Sequence, residues 1–179
     1  MNEILEKRQL SADVFQMTFS APDIAEARKP GQFVIIQLDT DFGERVPLTI
    51  ADADASAGSI TIIFQVVGST THRLAALKAG DSIENVLGPL GKPTHIEKFG
   101  HVVCVGGGIG VAPLHPIAEG MKQAGNRLTI IMGARTQELV ILEDRMRTLA
   151  DRLIVCTDDG SYGRKALVTE PLKEVCEEE

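Results

Sequence analysis

The sequence predicts two domains of different class, an N-terminal antiparallel β-barrel followed by an α/β parallel-sheet nucleotide-binding domain. Three observations carry this. The first half alternates short β-branched and aromatic runs with turn signals. The second half alternates short apolar runs with amphipathic helical patterns. At one strand-to-helix transition stand four glycines, in Gly106-Gly107-Gly108-Ile109-Gly110-Val111-Ala112-Pro113. With 179 residues, 44% of them hydrophobic and 24% charged, the chain is long enough for two small domains with buried cores.

In order, Asp13–Phe19, Gln32–Leu38, Val46–Ile50 and Ser59–Val66 read as strands. Lys29-Pro-Gly31, Asp41-Phe-Gly-Glu44, Asp52 to Gly58 and Lys78-Ala-Gly-Asp81 separate or follow them as turns. A short helix is expected over Thr71–Leu77, opening after Gly68-Ser69-Thr70. The stretch Gly88–Pro93, extending to about Gly100, reads as the boundary, giving domains 1–97 and 98–179. Beyond it come strand His101–Val105, the glycine turn, and a helix with Leu114, Ile117, Ala118 and Met121 on one face. Strand Leu128–Met132 and a helix carrying Leu139, Leu142, Met146 and Leu149 follow. Strand Leu153–Cys156 and a helix near Val168–Val175 complete the pattern. Three strands and three helices make a thin sheet with an exposed edge, so this domain reads as incomplete, with the edge covered by further chain or by a partner.

The net charge of −7 argues against nucleic acid as a partner, because phosphate contacts need a basic face. No apolar run approaches the roughly 18 residues of a membrane span. The N-terminus lacks the pattern of a signal peptide, and a cytoplasmic protein is expected. Cys104, Cys156 and Cys176 contain no C-x-x-C spacing, so no zinc or iron–sulfur site is written here, and metal ligation is not expected. The four histidines are scattered and read as structural or solvated, with His115, just after the glycine turn, the one of interest.

Glycines at a strand-to-helix turn let the backbone approach a phosphate closely. The helix start then offers free N–H donors and partial positive charge, so pyrophosphate is the natural ligand. Gly107, Gly108 and Gly110 are the candidate contacts, and Pro113 fits a first helical turn. The strict G-x-G-x-x-G pattern is broken at Val111. At the end of the second strand, where an acidic residue would meet a ribose, stand Gly133-Ala134-Arg135. Arg135 suits a 2′-phosphate or an adenine face. Asp158, Asp159 and Gly160 follow the third strand, on the side where such sheets bind ligands; a nicotinamide-ribose contact or a helix cap is expected of them.

Taken together, these motifs resemble the ferredoxin–NADP reductase family. Gly107-Gly-Ile-Gly-Val-Ala-Pro113 is similar to its nicotinamide-nucleotide loop. Arg45-Val-Pro-Leu-Thr49 resembles its flavin motif, and Gly68-Ser-Thr-Thr71 its second flavin-phosphate loop. Lys29-Pro-Gly-Gln-Phe-Val34 and Gly88-Pro-Leu-Gly91 occur in the expected order. Within the family, Pro47 and Thr157-Asp-Asp-Gly-Ser-Tyr-Gly163 are most similar to two groups. These are the electron-transfer subunits of type B dihydroorotate dehydrogenase and the small subunit of NADH-dependent ferredoxin–NADP oxidoreductase.

The resemblance implies FAD held in the cleft between the domains, with hydride transfer between NAD(P)H and the flavin. Electrons would pass on to an iron–sulfur or ferredoxin partner, or to a larger catalytic subunit. It implies that Arg45 clamps a flavin phosphate, Thr49 lies at the flavin N5 edge as the catalytic hydroxyl, and Pro47 and Leu48 pack on the ring. Ile63, Phe64 and Gln65 would offer backbone groups, and Gly68, Ser69, Thr70 and Thr71 a phosphate cradle. Plainer readings stand beside these: a surface ion pair of Arg45 with Glu44 or a nearby acid, and an ordinary N-cap at Gly68–Thr71. Members of the two groups are longer and carry the cysteines of a [2Fe–2S] cluster in a C-terminal segment, so that cluster is expected only outside these residues. The alternative to an enzyme is a non-catalytic electron-transfer or nucleotide-sensing module dependent on a partner subunit.

Overall fold

The computed structural model describes residues 2–39 and 43–178. The chain divides into two compact units, Met1–Thr94 and His95–Glu179.

The first unit is an antiparallel half-barrel of seven strands. In chain order these are β1 (Asn2–Gln9), β2 (Val14–Ser20), β3 (Phe33–Gln37), β4 (Arg45–Asp54), β5 (Ser59–Gln65), β6 (Ser82–Ile83) and β7 (Asn85–Leu90), hydrogen-bonded in the order β6-β1-β2-β5-β4-β3-β7. Helix α1 (Pro22–Ala27) packs against β5, and α2 (Ser69–Ala76) follows it in the chain. Alternate residues face one core: Met17 and Phe19 from β2, Val34 and Ile36 from β3, and Ile60, Ile62 and Phe64 from β5. Ile50 of β4 and Leu74 of α2 join them. β5, central in the sheet, is buried from Ser59 to Phe64, which explains its unbroken apolar run.

The four strands expected here form, with β4 reaching four residues beyond Ile50. Asp41 and Phe42 of the expected turn lie outside the described residues. Gly88-Pro89-Leu90, read as the start of the boundary, belongs instead to β7, where Leu90 stands opposite Phe33. Pro89 is tolerated because β7 is an end strand and the register shifts beside it. Gly88 is required by proximity, since a Cβ there would lie 2.7 Å from Val34 Cγ1. α2 begins at Ser69, two residues before the expected start.

The second unit is a four-stranded parallel sheet of β8 (His101–Gly107), β9 (Arg127–Ala134), β10 (Arg152–Thr157) and β11 (Arg164–Lys165), in the order β11-β10-β9-β8. Helices α3 (Val111–Gln123), α4 (Glu143–Leu149) and α5 (Thr169–Glu178) connect or follow these strands. β9 is buried from Leu128 to Met132.

The single helix expected to carry Leu139 and Leu142 along with Met146 is broken. Leu139 ends a 3₁₀ turn, Gln137–Leu139, Val140 is extended, and Leu142 caps α4 with φ 59°. The cause is burial. Ile141 and Met146 are both buried, yet five residues on a continuous helix place side chains about 140° apart. Extending the chain at Val140 lets both reach the core. Cys104 and Cys156 are buried thiols, and burial raises both above the ordinary thiol range.

Candidate functional site

In the half-barrel, β4 changes partners along its length. From Arg45 to Thr49 it pairs with β3, the register running from Gln37↔Arg45 to Phe33↔Thr49. From Ile50 to Asp54 it pairs with β5. β5 in turn pairs with β2 through Gln65 but with β4 only as far as Ile62. Beyond the Ile50–Ile62 pair the two strands part, leaving a wedge. Its two backbone edges, Arg45–Thr49 and Ile63–Gln65, share no ladder bonds among the described residues. Pro47 lies on one edge, where its missing N–H costs nothing.

The N-terminus of α2 is strapped to the start of β4. Thr70 Oγ1 donates to the Glu44 carboxylate just before β4, and further along the helix Arg73 forms a two-point ion pair with Asp39, just after β3, at 2.6 and 2.8 Å. Thr71 Oγ1 accepts the N–H groups of Val67 and Gly68, each at 3.0 Å, and donates to the Gly68 carbonyl. The first intrahelical bond runs from His72 N–H to Gly68 C=O. Hence the N–H groups of Ser69, Thr70 and Thr71 lack intrahelical acceptors, and the space beside Gly68 is open.

Arg45 is exposed, and no partner is recorded for its guanidinium among the described residues. The plainer reading, an ion pair of Arg45 with Glu44, is not seen among the described residues, where the Glu44 carboxylate accepts from Thr70. The residues therefore fit an anionic, flat ligand: three helix-start donors, one uncommitted guanidinium and two open strand edges. Thr49 is half-buried, opposite Phe33. Pro47 and Leu48 point to opposite faces, Pro47 exposed and Leu48 against the core, so only Pro47 presents its ring outward. The Phe64 ring stacks on Phe15 at 6.1 Å, and Gln65 Nε2 donates to Asp13 at 2.6 Å. These two residues thus offer the wedge backbone rather than side chain.

In the second unit the glycine turn follows β8 as a 3₁₀ turn, Gly108–Gly110, and α3 starts at Val111. The helix begins inside the motif, and Pro113 falls in its first turn, where a missing N–H is harmless. The glycines serve two different ends. A Cβ on Gly106 would meet Leu114 Cδ2 at 3.0 Å and the Gly110 carbonyl oxygen at 3.3 Å, so Gly106 lets α3 pack on β8. Gly107, Gly108 and Gly110 have nothing within 4 Å of a Cβ, and Gly108 has φ +52°. These three border open space at a helix start, which fits a phosphate.

Arg135 follows β9, exposed, and its guanidinium makes no ion pair or hydrogen bond among the described residues. Asp158–Gly160 follow β10 in the neighbouring loop, so both lie at the carboxyl ends of adjacent parallel strands. Asp159 caps its own loop by accepting the Ser161 N–H and hydroxyl, at 2.9 and 2.6 Å. These bonds hold its carboxyl below the usual range. Among the described residues no three His, Cys, Asp or Glu side chains are disposed to hold a metal. His115 is buried, His101 Nε2 lies 2.9 Å from Thr129 Oγ1, and His95 pairs with Glu97.

The Glu44–Thr70 strap and Ser161 were not anticipated. Glu44 and Thr70 are 26 residues apart, and no local pattern announces such a contact. Ser161 lies within the run Thr157–Gly163, but its partner Gln137 lies 24 residues away.

No helix among the described residues is long and apolar enough to cross a membrane. No family model matches the chain. It is 44% identical over 178 residues to a dihydroorotate dehydrogenase B (NAD(+)) electron transfer subunit homolog of Thermotoga maritima, covering 99% of the chain and 62% of the relative. It is 35% identical over 176 residues to the dihydroorotate dehydrogenase B (NAD(+)) electron transfer subunit of Fusobacterium nucleatum, covering 95% of the chain and 67% of that protein. Its fold matches a chain of the NADH-dependent reduced ferredoxin–NADP oxidoreductase, studied for flavin-based electron bifurcation. That match has a TM-score of 0.94 at 42% identity and covers the whole chain and 64% of the other. The chain thus spans a little over three fifths of the Thermotoga relative's length.

Proposed function

The chain belongs to the family of dihydroorotate dehydrogenase B electron transfer subunits, and on that premise we propose that it is the flavin- and nicotinamide-handling part of an oxidoreductase. The observation that carries this reading is the wedge that opens between β4 and β5 beyond Ile50 and Ile62, with the N-terminus of α2 strapped to the start of β4.

A flavin bound there supplies hydride exchange with NAD(P)H and one-electron delivery onward. The residues supply binding and orientation. Arg45 clamps a phosphate of FAD with its planar fork. The N–H groups of Ser69, Thr70 and Thr71 complete the cradle, aided by the positive end of α2. Pro47 covers one side of the ring, and the Thr49 hydroxyl holds a hydrogen bond at the flavin N5 edge. The open edges at Arg45–Thr49 and Ile63–Gln65 satisfy the ring's polar atoms with backbone groups. In the second unit Gly107, Gly108 and Gly110 admit the pyrophosphate of NAD(P)H, and Arg135 meets its adenosine end. The electron acceptor is an iron–sulfur or ferredoxin partner, or a larger catalytic subunit.

The test is reconstitution of the chain with FAD, followed by rapid mixing with NADH and with NADPH. A yellow protein bleached by either nucleotide is the expected result. A chain that stays colourless after incubation with FAD overturns the flavin site. One that binds flavin without being reduced overturns the oxidoreductase reading in favour of a partner-dependent module.

A further inference from the structure

We propose that Asp159 and Ser161 are positioning residues that clamp Arg135 for the adenosine end of a dinucleotide, an inference that rests on reading the glycine turn as a nucleotide site. The loop after β10 grips the segment after β9 on both sides of Arg135. On one side Asp158 N–H donates to the Ala134 carbonyl at 3.1 Å, and Asp159 N–H donates to the carbonyl of Arg135 itself at 3.2 Å. On the other side Gln137 N–H donates to Ser161 Oγ at 2.9 Å. The tripeptide Arg135-Thr136-Gln137 is thus held at both ends by one neighbouring loop.

The chemistry of the clamp requires a hydroxyl at position 161. Ser161 Oγ donates its proton to Asp159 Oδ1 at 2.6 Å and still has lone pairs to accept Gln137 N–H. The Asp159 carboxylate also accepts the Ser161 N–H at 2.9 Å, which fixes the serine rotamer. Further along the same connection, Tyr162 OH donates to Glu143 Oε1 at 3.0 Å, at the first residue of α4. One loop therefore anchors the β9–α4 connection at its start and at its end. The guanidinium between these anchors stays exposed with no partner recorded among the described residues.

A long side chain on an anchored backbone loses less freedom when it binds than one on a mobile loop. Asp159 and Ser161 touch no ligand in this scheme and act only through the backbone on either side of the Arg135 side chain, at Arg135 itself and at Gln137. The guanidinium serves a 2′-hydroxyl ribose with its adenine, or a 2′-phosphate, and the two sources are separated by using two probes.

The experiment is calorimetric titration of the full chain with 5′-ADP and with adenosine 2′,5′-bisphosphate. Whichever probe binds the parent more tightly is expected to bind Arg135→Ala about tenfold more weakly and Ser161→Ala about three- to fivefold more weakly. Ser161→Thr, which keeps the hydroxyl, is expected to restore the parent affinity. In the Arg135→Ala background, Ser161→Ala is expected to cost nothing further. A Ser161→Ala loss of equal size in both backgrounds means a merely structural role and overturns the clamp. So does a loss in Arg135→Ala with none in Ser161→Ala. If the parent binds neither probe, the proposal falls together with the reading beneath it; if Arg135→Ala binds both like the parent, the proposal falls alone.

Discussion

Ile50 of β4 and Ile62 of β5 form the last facing pair before the two strands separate. The strand residues proposed for the flavin, Arg45–Thr49 and Ile63–Gln65, lie beyond that pair, where β4 and β5 no longer share a ladder. Ile50 and Ile62 are buried, whereas Arg45, five residues from Ile50, is exposed, and its guanidinium has no partner among the described residues. Binding and folding are therefore separable at Arg45. Arg45→Ala is expected to weaken FAD binding about 10- to 100-fold, the worth of one charge-assisted phosphate contact. It should leave the thermal midpoint unchanged. Fluorescence titration with FAD and a melting curve on the same sample check both. Undiminished flavin affinity rules out the clamp.

Gly106 and Gly107 are adjacent but are expected to fail differently. A Cβ on Gly106 enters the contact between β8 and α3, so Gly106→Ala should lower stability by about 1–3 kcal/mol through overpacking. A Cβ on Gly107 meets only open space, and its φ of −119° suits any residue. Gly107→Ala should therefore fold like the parent, yet crowd a phosphate placed at the turn and weaken NADH binding. Urea unfolding and nucleotide titration of both variants separate the effects. Equal stability of the two would remove the packing role assigned to Gly106.

These two sites were also the most legible in the sequence. The glycine turn and the Arg45–Thr49 run are short-range signals: a glycine run between an apolar strand and a helix, and a proline that must sit on an open strand edge. What escaped is decided at a distance. The two-residue strands β6 and β11 carry no periodicity and exist because a neighbour supplies their ladder. Gly88-Pro89-Leu90 reads as a breaker until β3 is set beside it. Leu139–Met146 reads as one helix until Ile141 must be buried. The Glu44–Thr70 strap links residues whose own neighbourhoods say nothing of each other.

Asn126 has no part in the proposed chemistry, yet its loss is expected to be costly. It is 3% exposed, and every polar atom of its amide is used. Oδ1 accepts Phe99 N–H at 2.7 Å and Gly100 N–H at 2.9 Å, while Nδ2 donates to the carbonyls of Glu97 and Met121, both at 2.8 Å. Alanine would strip these backbone groups of their side-chain partner, at about 1–3 kcal/mol for each one that water cannot reach. Asn126→Ala should lower the stability of the second unit by about 1–3 kcal/mol. Asn126→Asp should recover only the Oδ1 half. Denaturant unfolding of the two variants tests this, and an alanine variant as stable as the parent would show that solvent reaches the site.

Acid should destabilise the protein through a few paired carboxylates. Asp39 is held below its ordinary range chiefly by its hydrogen bond from Arg73, Asp151 by that from Lys122 and then by Leu128 N–H, and Glu174 by that from Arg164. All three groups have a folded-state pKa lower than the unfolded one. Their contribution is therefore complete above the unfolded carboxylate range of about 4 and is lost as pH falls through the lower folded values. Each is solvent-exposed and screened, so the individual effects are small and salt-sensitive. Asp151 is the most informative of them. Its Oδ2 takes both Lys122 Nζ and Leu128 N–H at 2.7 Å, tying the end of α3 to the start of β9. Asp151→Asn should be less stable than the parent at pH 7, and the gap should close as pH falls through the lowered folded-state value of Asp151, where the parent carboxylate is protonated too. Urea midpoints of parent and variant at several pH values between 7 and 2.5 provide the test. A gap that stays constant across that range would assign the loss to packing and not to charge.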